Sequence, residues 1–290
     1  MLMVGLGEAG KNIVKLFKSH SKNYKIITLD EDDGILAKQT VEEYDDSPVT
    51  IKNRGLKSHA EGLLFVCGSG KIAGASLRVL EALTDHRMTI VYIKPDLEFL
   101  SKDERIRHRV HFHVLQEYAR SGTVEGMIVL DNQEILKVAG TGSIKDYYEK
   151  ANYFIYSIFQ NLNYCMNVDS DYGAVHVPKD HSRISTLGFG NLVDVEEKNL
   201  FNLDNITESC YYMNIEGEDL TNDETILPTC QQIVRDNISK ERETSFGIWE
   251  SSDPNNYLVR HFTHFIQEEG LVKDRGQKTR ENKGEKRKSS

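Results

Sequence analysis

Two stretches of this 290-residue chain repeat one short plan: a buried apolar run, a glycine-rich turn, then an amphipathic segment of helical spacing. The first is MLMVGLGEAGKNIVKLFKSH, where Gly5, Gly7 and Gly10 give G-x-G-x-x-G and Ile13, Val14, Leu16 and Phe17 form one apolar side. The second is Leu63–Cys67 running into Gly68-Ser69-Gly70-Lys71-Ile72-Ala73-Gly74, with a helix expected at about Ala75–Leu83. The second such unit is the informative observation. Glycines let backbone N–H groups approach a phosphate at a helix N-terminus. Two such turns on neighbouring parallel strands point to a nucleoside polyphosphate. The second turn lacks the order of a Walker A motif, but Lys71 can reach a phosphate as a point charge. Turns before helices also use glycine for purely steric reasons, and Lys71 can equally point to solvent.

Other strands are expected at Tyr24–Leu29, Val49–Ile51, Met88–Ile93 and Val124–Leu130, and helices at Asp32–Thr40 and Lys102–Arg120. Asp30, at the end of its strand, stands where an acid holds a ribose hydroxyl in dinucleotide folds. The strand and helix order implies a mostly parallel sheet with helices on both faces, a Rossmann-like α/β arrangement. His108, His111 and His113 are spaced so that all three do not share a helical face, which favours a solvated surface over a metal site.

From Ser143 to about Cys165 there is neither Gly nor Pro. Apolar residues fall in two helical stripes, Tyr148, Ile155, Phe159, Leu162 and Tyr147, Ala151, Phe154, Ile158, Cys165, so the helix is buried on more than one side. Its length of about 33 Å lets it touch two domains. Asn152, Gln160 and Asn163 interrupt the apolar run, and Asp169 and Asp171 follow its end. Beyond it the texture changes. Asp171–Asn191 reads as irregular, with Pro178; strands follow at Ser209–Ile215, Ser245–Ser251 and Tyr257–Phe265, with a helix over Asp223–Asn237. The expected organisation is a nucleotide-binding domain over residues 1–142, a central helix over 143–166, a smaller α+β domain over 167–268 and a disordered basic tail over 269–290.

Composition narrows the setting. Charged residues are 28% of the chain, and no apolar run is long enough to span a membrane. Cys67, Cys165, Cys210 and Cys230 are widely spaced in apolar surroundings, as reduced core thiols are, which fits the cytoplasm. The segment from Lys273 to Ser290 carries eight Lys/Arg against three Asp/Glu, which leaves the rest of a chain of net charge −9 at −14. An acidic body does not suggest DNA binding by the globular part. The tail serves solubility, or attaches to DNA, a DNA-bound adaptor or another anionic partner.

At this point the residues resemble a family. Gly5-Leu6-Gly7-Glu8-Ala9-Gly10-Lys11-Asn12 is similar to the G-x-G-G-x-G-x-N loop of the tubulin/FtsZ superfamily, and Gly68–Gly74 stands at its G-G-G-T-G-T/S-G signature. The strand ending in Lys94-Pro95 resembles FtsZ's T-K-P, and Val124–Asn132 its V-D-S-L-I-T-I-P-N. Tyr148 and Asn152, four apart, match the aromatic that stacks on guanine and the Asn that reads its edge. Asn167-Val168-Asp169 resembles the N-x-D of the loop that completes the GTPase site of the next subunit, and Met213–Gly217 the first strand of the second domain. The resemblance runs from residue 1 to about residue 265, and phage and plasmid TubZ-type proteins are plausible relatives.

The resemblance implies a GTP/GDP- and Mg²⁺-dependent protein that polymerises head to tail. Nucleotide would sit on Gly5, Gly7, Glu8, Ala9, Gly10, Asn12, Asp30, Gly68, Ser69, Gly70, Lys71, Ile72, Ala73, Gly74, Pro95, Tyr148 and Asn152, with Asn167, Asp169 and Asp171 as catalytic residues toward a neighbour. Departures weaken rapid hydrolysis more than binding. Lys71, Ile72 and Ala73 replace T-G-T/S, the segment between Ile51 and Leu63 is too short for a full helix, Asp171 comes one residue early, and Pro178 breaks the helix expected next. A non-hydrolysing or weakly hydrolysing structural filament is therefore one alternative. An NAD-dependent oxidoreductase, resting on G-x-G-x-x-G and Asp30 alone, is another.

Overall fold

The computed structural model describes residues 1–267, apart from 22, 41, 52–58, 141–142, 194–195, 240–241 and 253–254. The basic tail, Lys273–Ser290, and most of the short segment between Ile51 and Leu63 therefore lie outside the described residues, as does the expectation attached to each.

In chain order the first part comprises β1 (Leu2–Leu6), α1 (Gly7–His20), β2 (Lys25–Leu29), β3 (Glu61–Cys67), α2 (Ser76–Ala82), β4 (Arg87–Lys94), α3 (Lys102–Arg120), β5 (Gly126–Asp131), α4 (Asn132–Ala139) and α5 (Ile144–Asn167). Then follow β6 (Tyr172–Ala174), β7 (Ile184–Asn191), β8 (Lys198–Asn199), β9 (Glu208–Glu216), α6 (Gly217–Asn222), α7 (Ile226–Asp236), β10 (Glu243–Ser251) and β11 (Asn256–Thr263). All the strands join one sheet in the order β2-β1-β3-β4-β5-β7-β11-β9-β10-β6, with β8 on β7. The first five strands pair in parallel. The second part is mixed: β11 runs antiparallel to β7 and β9, while β9 and β10 are parallel.

The alternation of side chains along each parallel strand sorts the core into two faces. Leu2, Val4, Leu64, Val66, Ile90 and Val129 pack under α2 and α3 on one face. Met3, Leu63, Phe65, Val91, Ile128 and Leu130 pack under α1, α4 and α5 on the other. The second face also takes in Cys210, Tyr212, Trp249 and Leu258. α5 thus seals both parts of the sheet with one stripe: Phe159 meets Phe65 edge-on at 5.3 Å, and Trp249 Nε1 donates to the Val168 carbonyl at 2.8 Å. Asn163 in that run donates to the Tyr24 hydroxyl at 2.8 Å, which satisfies its carboxamide where water is scarce.

Several sequence expectations change. Asp32–Thr40 contains only a one-turn 3-10 helix, Glu31–Asp33, because Gly34 takes a left-handed φ of 86° and stops it. Val49–Ile51 is not a strand; it lies beside β2 and lines a cleft there. The stretch read as irregular contains β7. No helix follows Pro178 before β7, as its ring predicts. No described helix is long and apolar enough to cross a membrane, and no disulfide joins the four cysteines.

Candidate functional site

The chain leaves β1 for β2 on one side and returns to β3 on the other, so the sheet reverses direction between β1 and β3. In open α/β sheets that crevice, at the carboxyl ends of the strands, is where ligands enter. Both glycine turns flank it. They touch: a Cβ on Gly7 would lie 3.7 Å from the Ile72 side chain, which is only 1% exposed.

Gly5, Gly7 and Gly10 are each required by the first turn. Gly7 has a φ of 72°, a left-handed conformation that favours glycine. A Cβ on Gly10 would lie 2.5 Å from the Phe65 carbonyl oxygen, and one on Gly5 would run into the Gly10 carbonyl. α1 is thereby pressed onto β1 and β3. It begins at Gly7 with no side-chain cap. α3, α4 and α5 begin on Ser101, Asp131 and Ser143, whose side chains accept from first-turn N–H groups. The open N–H groups of α1, at Gly7, Glu8 and Ala9, face the crevice end with the positive end of the helix dipole. Glu8 and Ala9 contribute backbone here; the Glu8 side chain is exposed.

The second turn closes partly on itself. Gly68 N–H donates to Ile93, Gly70 N–H to Cys67 and Ala73 N–H to Gly70, at 2.9–3.0 Å. The N–H groups of Ser69, Lys71 and Ile72 have no acceptor among the described residues, so they are free donors in the same crevice. Beneath the turn lies a polar seam. Tyr92 Oη is 2.7 Å from His108 Nδ1, and Ser76 Oγ is 2.5 Å from His111 Nε2. Gly68 sits on this seam, since a Cβ there would run into the Tyr92 hydroxyl and lie 3.0 Å from His108. His108 and His111 are therefore buried rather than solvated, correcting the sequence expectation. Burial pushes the His111 imidazole down to about 3, so it is neutral near pH 7. The sequence carried a signal for this: His108, His111, Phe112 and Leu115 follow i, i+3, i+4, i+7, the spacing of one buried face.

On the other flank of α1, Asn12 and Asn152 line one cleft of about 940 Å³, with Leu16, Val138 and Phe154 as apolar wall. Tyr148 lies one helical turn before Asn152 and is 66% exposed, packing edge-on against Tyr147 at 5.5 Å. Its ring is outside the walls of the cleft. Asp30 and Pro95 line neither this cleft nor the cavity at the second turn. Pro95 is buried after β4. Asp30 accepts from the Glu31 N–H and pairs with Lys11 Nζ at 3.0 Å, and these contacts hold its carboxyl below the usual range. The acid on which a dinucleotide reading rests is thus already engaged.

Asn167, Asp169 and Asp171 lie at the far end of α5. About 21 residues of helix and turn separate Asp169 from Tyr148, or roughly 30 Å. Asn167 folds back, donating to the Asn163 carbonyl at 2.8 Å. Asp171 accepts from the Glu250 N–H at 2.8 Å. Asp169 is exposed and has no partner among the described residues.

The architecture is that of the tubulin/FtsZ fold. TubZ of Bacillus thuringiensis serovar israelensis, in a GTPγS-form protofilament, superposes with a TM-score of 0.66 at 14% identity, over 99% of this chain and 94% of that one. FtsZ of M. jannaschii gives 0.62 at 12% identity, over 92% and 91%. CetZ of Methanosaeta thermophila gives 0.61 at 15% identity, over 99% and 94%. No protein-family model matches the sequence, and no curated protein does.

Proposed function

We propose that this chain is a guanine-nucleotide-binding protein that polymerises head to tail, with each subunit completing the hydrolytic site of the next. Asn12 and Asn152 read the base edge in their shared cleft, and Tyr148 closes over the base from the mouth. The open N–H groups of Gly7–Ala9 and of Ser69, Lys71 and Ile72 receive the phosphates. Mg²⁺ would be bound chiefly through phosphate oxygens and water, as a small hard cation is.

The observation that carries the reading is the meeting of the two glycine turns beside the Asn12–Asn152 cleft, with Asp169 at the opposite end of α5. One subunit cannot bring Asp169 to its own glycine turns across about 30 Å of helix. A second subunit stacked on the first can. Such a contact uses two different surfaces, so it does not close and yields filaments. The matched TubZ structures include GTPγS- and GDP-form protofilaments and two- and four-stranded filaments, which supports self-assembly. Asp169 would position the attacking water at the neighbour's terminal phosphate.

A slower variant of this reading has its own support. With Asn167 and Asp171 both engaged inside the subunit, Asp169 alone is free to act. A filament that binds GTP and hydrolyses it weakly fits that arrangement. Light scattering on addition of GTP and Mg²⁺, with phosphate release followed in the same sample, separates the two. A rise and decay with phosphate release steep in protein concentration is expected of a dynamic GTPase. A stable rise without phosphate selects the structural filament, and no rise refutes assembly.

A further inference from the structure

The cavity at the second glycine turn is small, about 90 Å³, roughly three water volumes, so it has room for a phosphoryl group but not for a base. Its walls include three cationic side chains, Lys38, Lys71 and Arg107, and one carboxylate, Glu104. Glu104 is engaged, accepting from the Ser101 N–H and Oγ at 2.8 and 2.7 Å, which holds it ionised. His111, also on the wall, is neutral. The cavity therefore carries an excess of two positive charges.

One buried phenol anchors the backbone at two of these cations, which holds their side chains on the same cavity. Tyr44 is 4% exposed, and its hydroxyl accepts from the Lys38 N–H at 3.1 Å and donates to the Lys71 carbonyl at 3.5 Å. It ties the loop after β2 to the second glycine turn. Arg107 reaches the same loop from α3, donating through Nη1 to the Gln39 carbonyl at 3.2 Å. Neither ammonium group of Lys38 or Lys71 has an acid partner among the described residues. Lys71 further stands beside its own free N–H and those of Ser69 and Ile72.

We propose that Lys38, Lys71 and Arg107 form a terminal-phosphate subsite through which this chain distinguishes a nucleoside triphosphate from a diphosphate. The inference rests on the nucleotide reading above and adds which end of the ligand the second turn senses. With the base at Asn12 and Asn152 and the first phosphates at α1, the second turn, which meets α1 where Ile72 packs on Gly7, would take the terminal phosphate. A diphosphate would stop short of it. An added phosphate would exchange water for two or three charge-assisted contacts.

The test is equilibrium binding of fluorescently labelled GTP and GDP to the full-length protein, below its assembly concentration, with Mg²⁺ and with EDTA. The wild type and the Lys38→Ala/Lys71→Ala double variant are compared; both lysines are at or near the surface, and circular dichroism checks the fold. The wild type is expected to bind GTP at least about tenfold more tightly than GDP, a preference that persists in EDTA and weakens with salt. In the double variant GTP affinity falls by about tenfold or more while GDP affinity stays within about twofold. Arg107→Lys, which keeps the charge, should retain most of the preference. An unchanged GTP/GDP ratio in the double variant, or equal affinities in the wild type, overturns the subsite and leaves nucleotide binding standing. Absence of binding to either nucleotide overturns both.

Discussion

At the first glycine turn, a Cβ on Gly10 would strike the backbone carbonyl of Phe65, and one on Gly5 the carbonyl of Gly10. At the second, a Cβ on Gly68 would strike the Tyr92 hydroxyl, while one on Gly70 would meet the Cys67 carbonyl at a tight but tolerable 3.1 Å. Backbone pressed on backbone shapes the first turn; buried polar side chains from β4 and α3 support the second. A turn made by backbone contact must show its glycines at fixed spacing, whatever surrounds it. A turn made by side chains can change its own residues, as Lys71, Ile72 and Ala73 do, provided that distant partners change with it.

The sharpest check on that contrast is a pair of alanine substitutions. Gly10→Ala should cost about 3 kcal/mol or prevent folding, since neither α1 nor β3 can move without repacking a core face. Gly70→Ala, in a conformation open to L-residues, should cost no more than about 1 kcal/mol. Denaturant midpoints measure both. Equal costs would abolish the distinction between the two turns.

The polar seam under the second turn makes its support sensitive to pH. The His111 imidazole has a folded-state value of about 3 against about 6.5 when unfolded. The unfolded chain therefore binds the extra proton first, and the stability that neutral His111 contributes is full above about pH 6.5 and is lost as pH falls toward 3. Between pH 7 and pH 5 the loss is about 2 kcal/mol. His111→Gln should remove that part of the slope and leave the first turn unaffected. A slope identical to wild type would mean that the seam does not carry a neutral histidine.

Nucleotide binding divides the turns again. Asn12 stands at the first turn, on the side of the base that GTP and GDP share. Asn12→Ala should weaken both about tenfold, where the Lys38/Lys71 variant weakens GTP alone. Isothermal titration with each nucleotide checks this, and a selective loss of GTP affinity in Asn12→Ala would invert the assignment of the two ends.

The same distinction explains what the sequence made legible. The parallel strands, α3 and α5 could be read because apolar period, length and caps agree locally. The first turn could be read because its glycines answer to neighbours in the chain and to one adjacent strand. β7 escaped because Gly188 and Gly190 interrupt its pattern, and the reason for Gly190 is the Tyr257 ring, which packs where its side chain would stand. Tyr44 gave no signal at all: its partners Lys38 and Lys71 are joined only once β2 and β3 lie two strands apart in the sheet. At Asp171 nothing near it in the chain reveals that β10 supplies the Glu250 N–H it accepts.

The acids after α5 complete the comparison, because they are proposed to act at a turn that is not their own. Asp171→Ala leaves the Glu250 N–H without its acceptor and should cost about 1 kcal/mol of stability. Asp169→Ala removes an exposed, unpartnered side chain and should leave stability within about 0.5 kcal/mol of wild type and GTP affinity unchanged. Its turnover should nonetheless fall and its filaments persist. Mixing makes the point independent of either variant's quality. Asp169→Ala has intact turns but no acid to offer a neighbour; Asn12→Ala offers the acid but binds nucleotide weakly. If the site forms between subunits, the mixture hydrolyses GTP faster than the sum of the two proteins assayed apart, because each Asn12→Ala subunit supplies Asp169 to an Asp169→Ala subunit that holds GTP. A rate equal to that sum would return the acid to its own subunit, where about 30 Å of helix keeps it from both turns, and Asp169 would then have no part in hydrolysis.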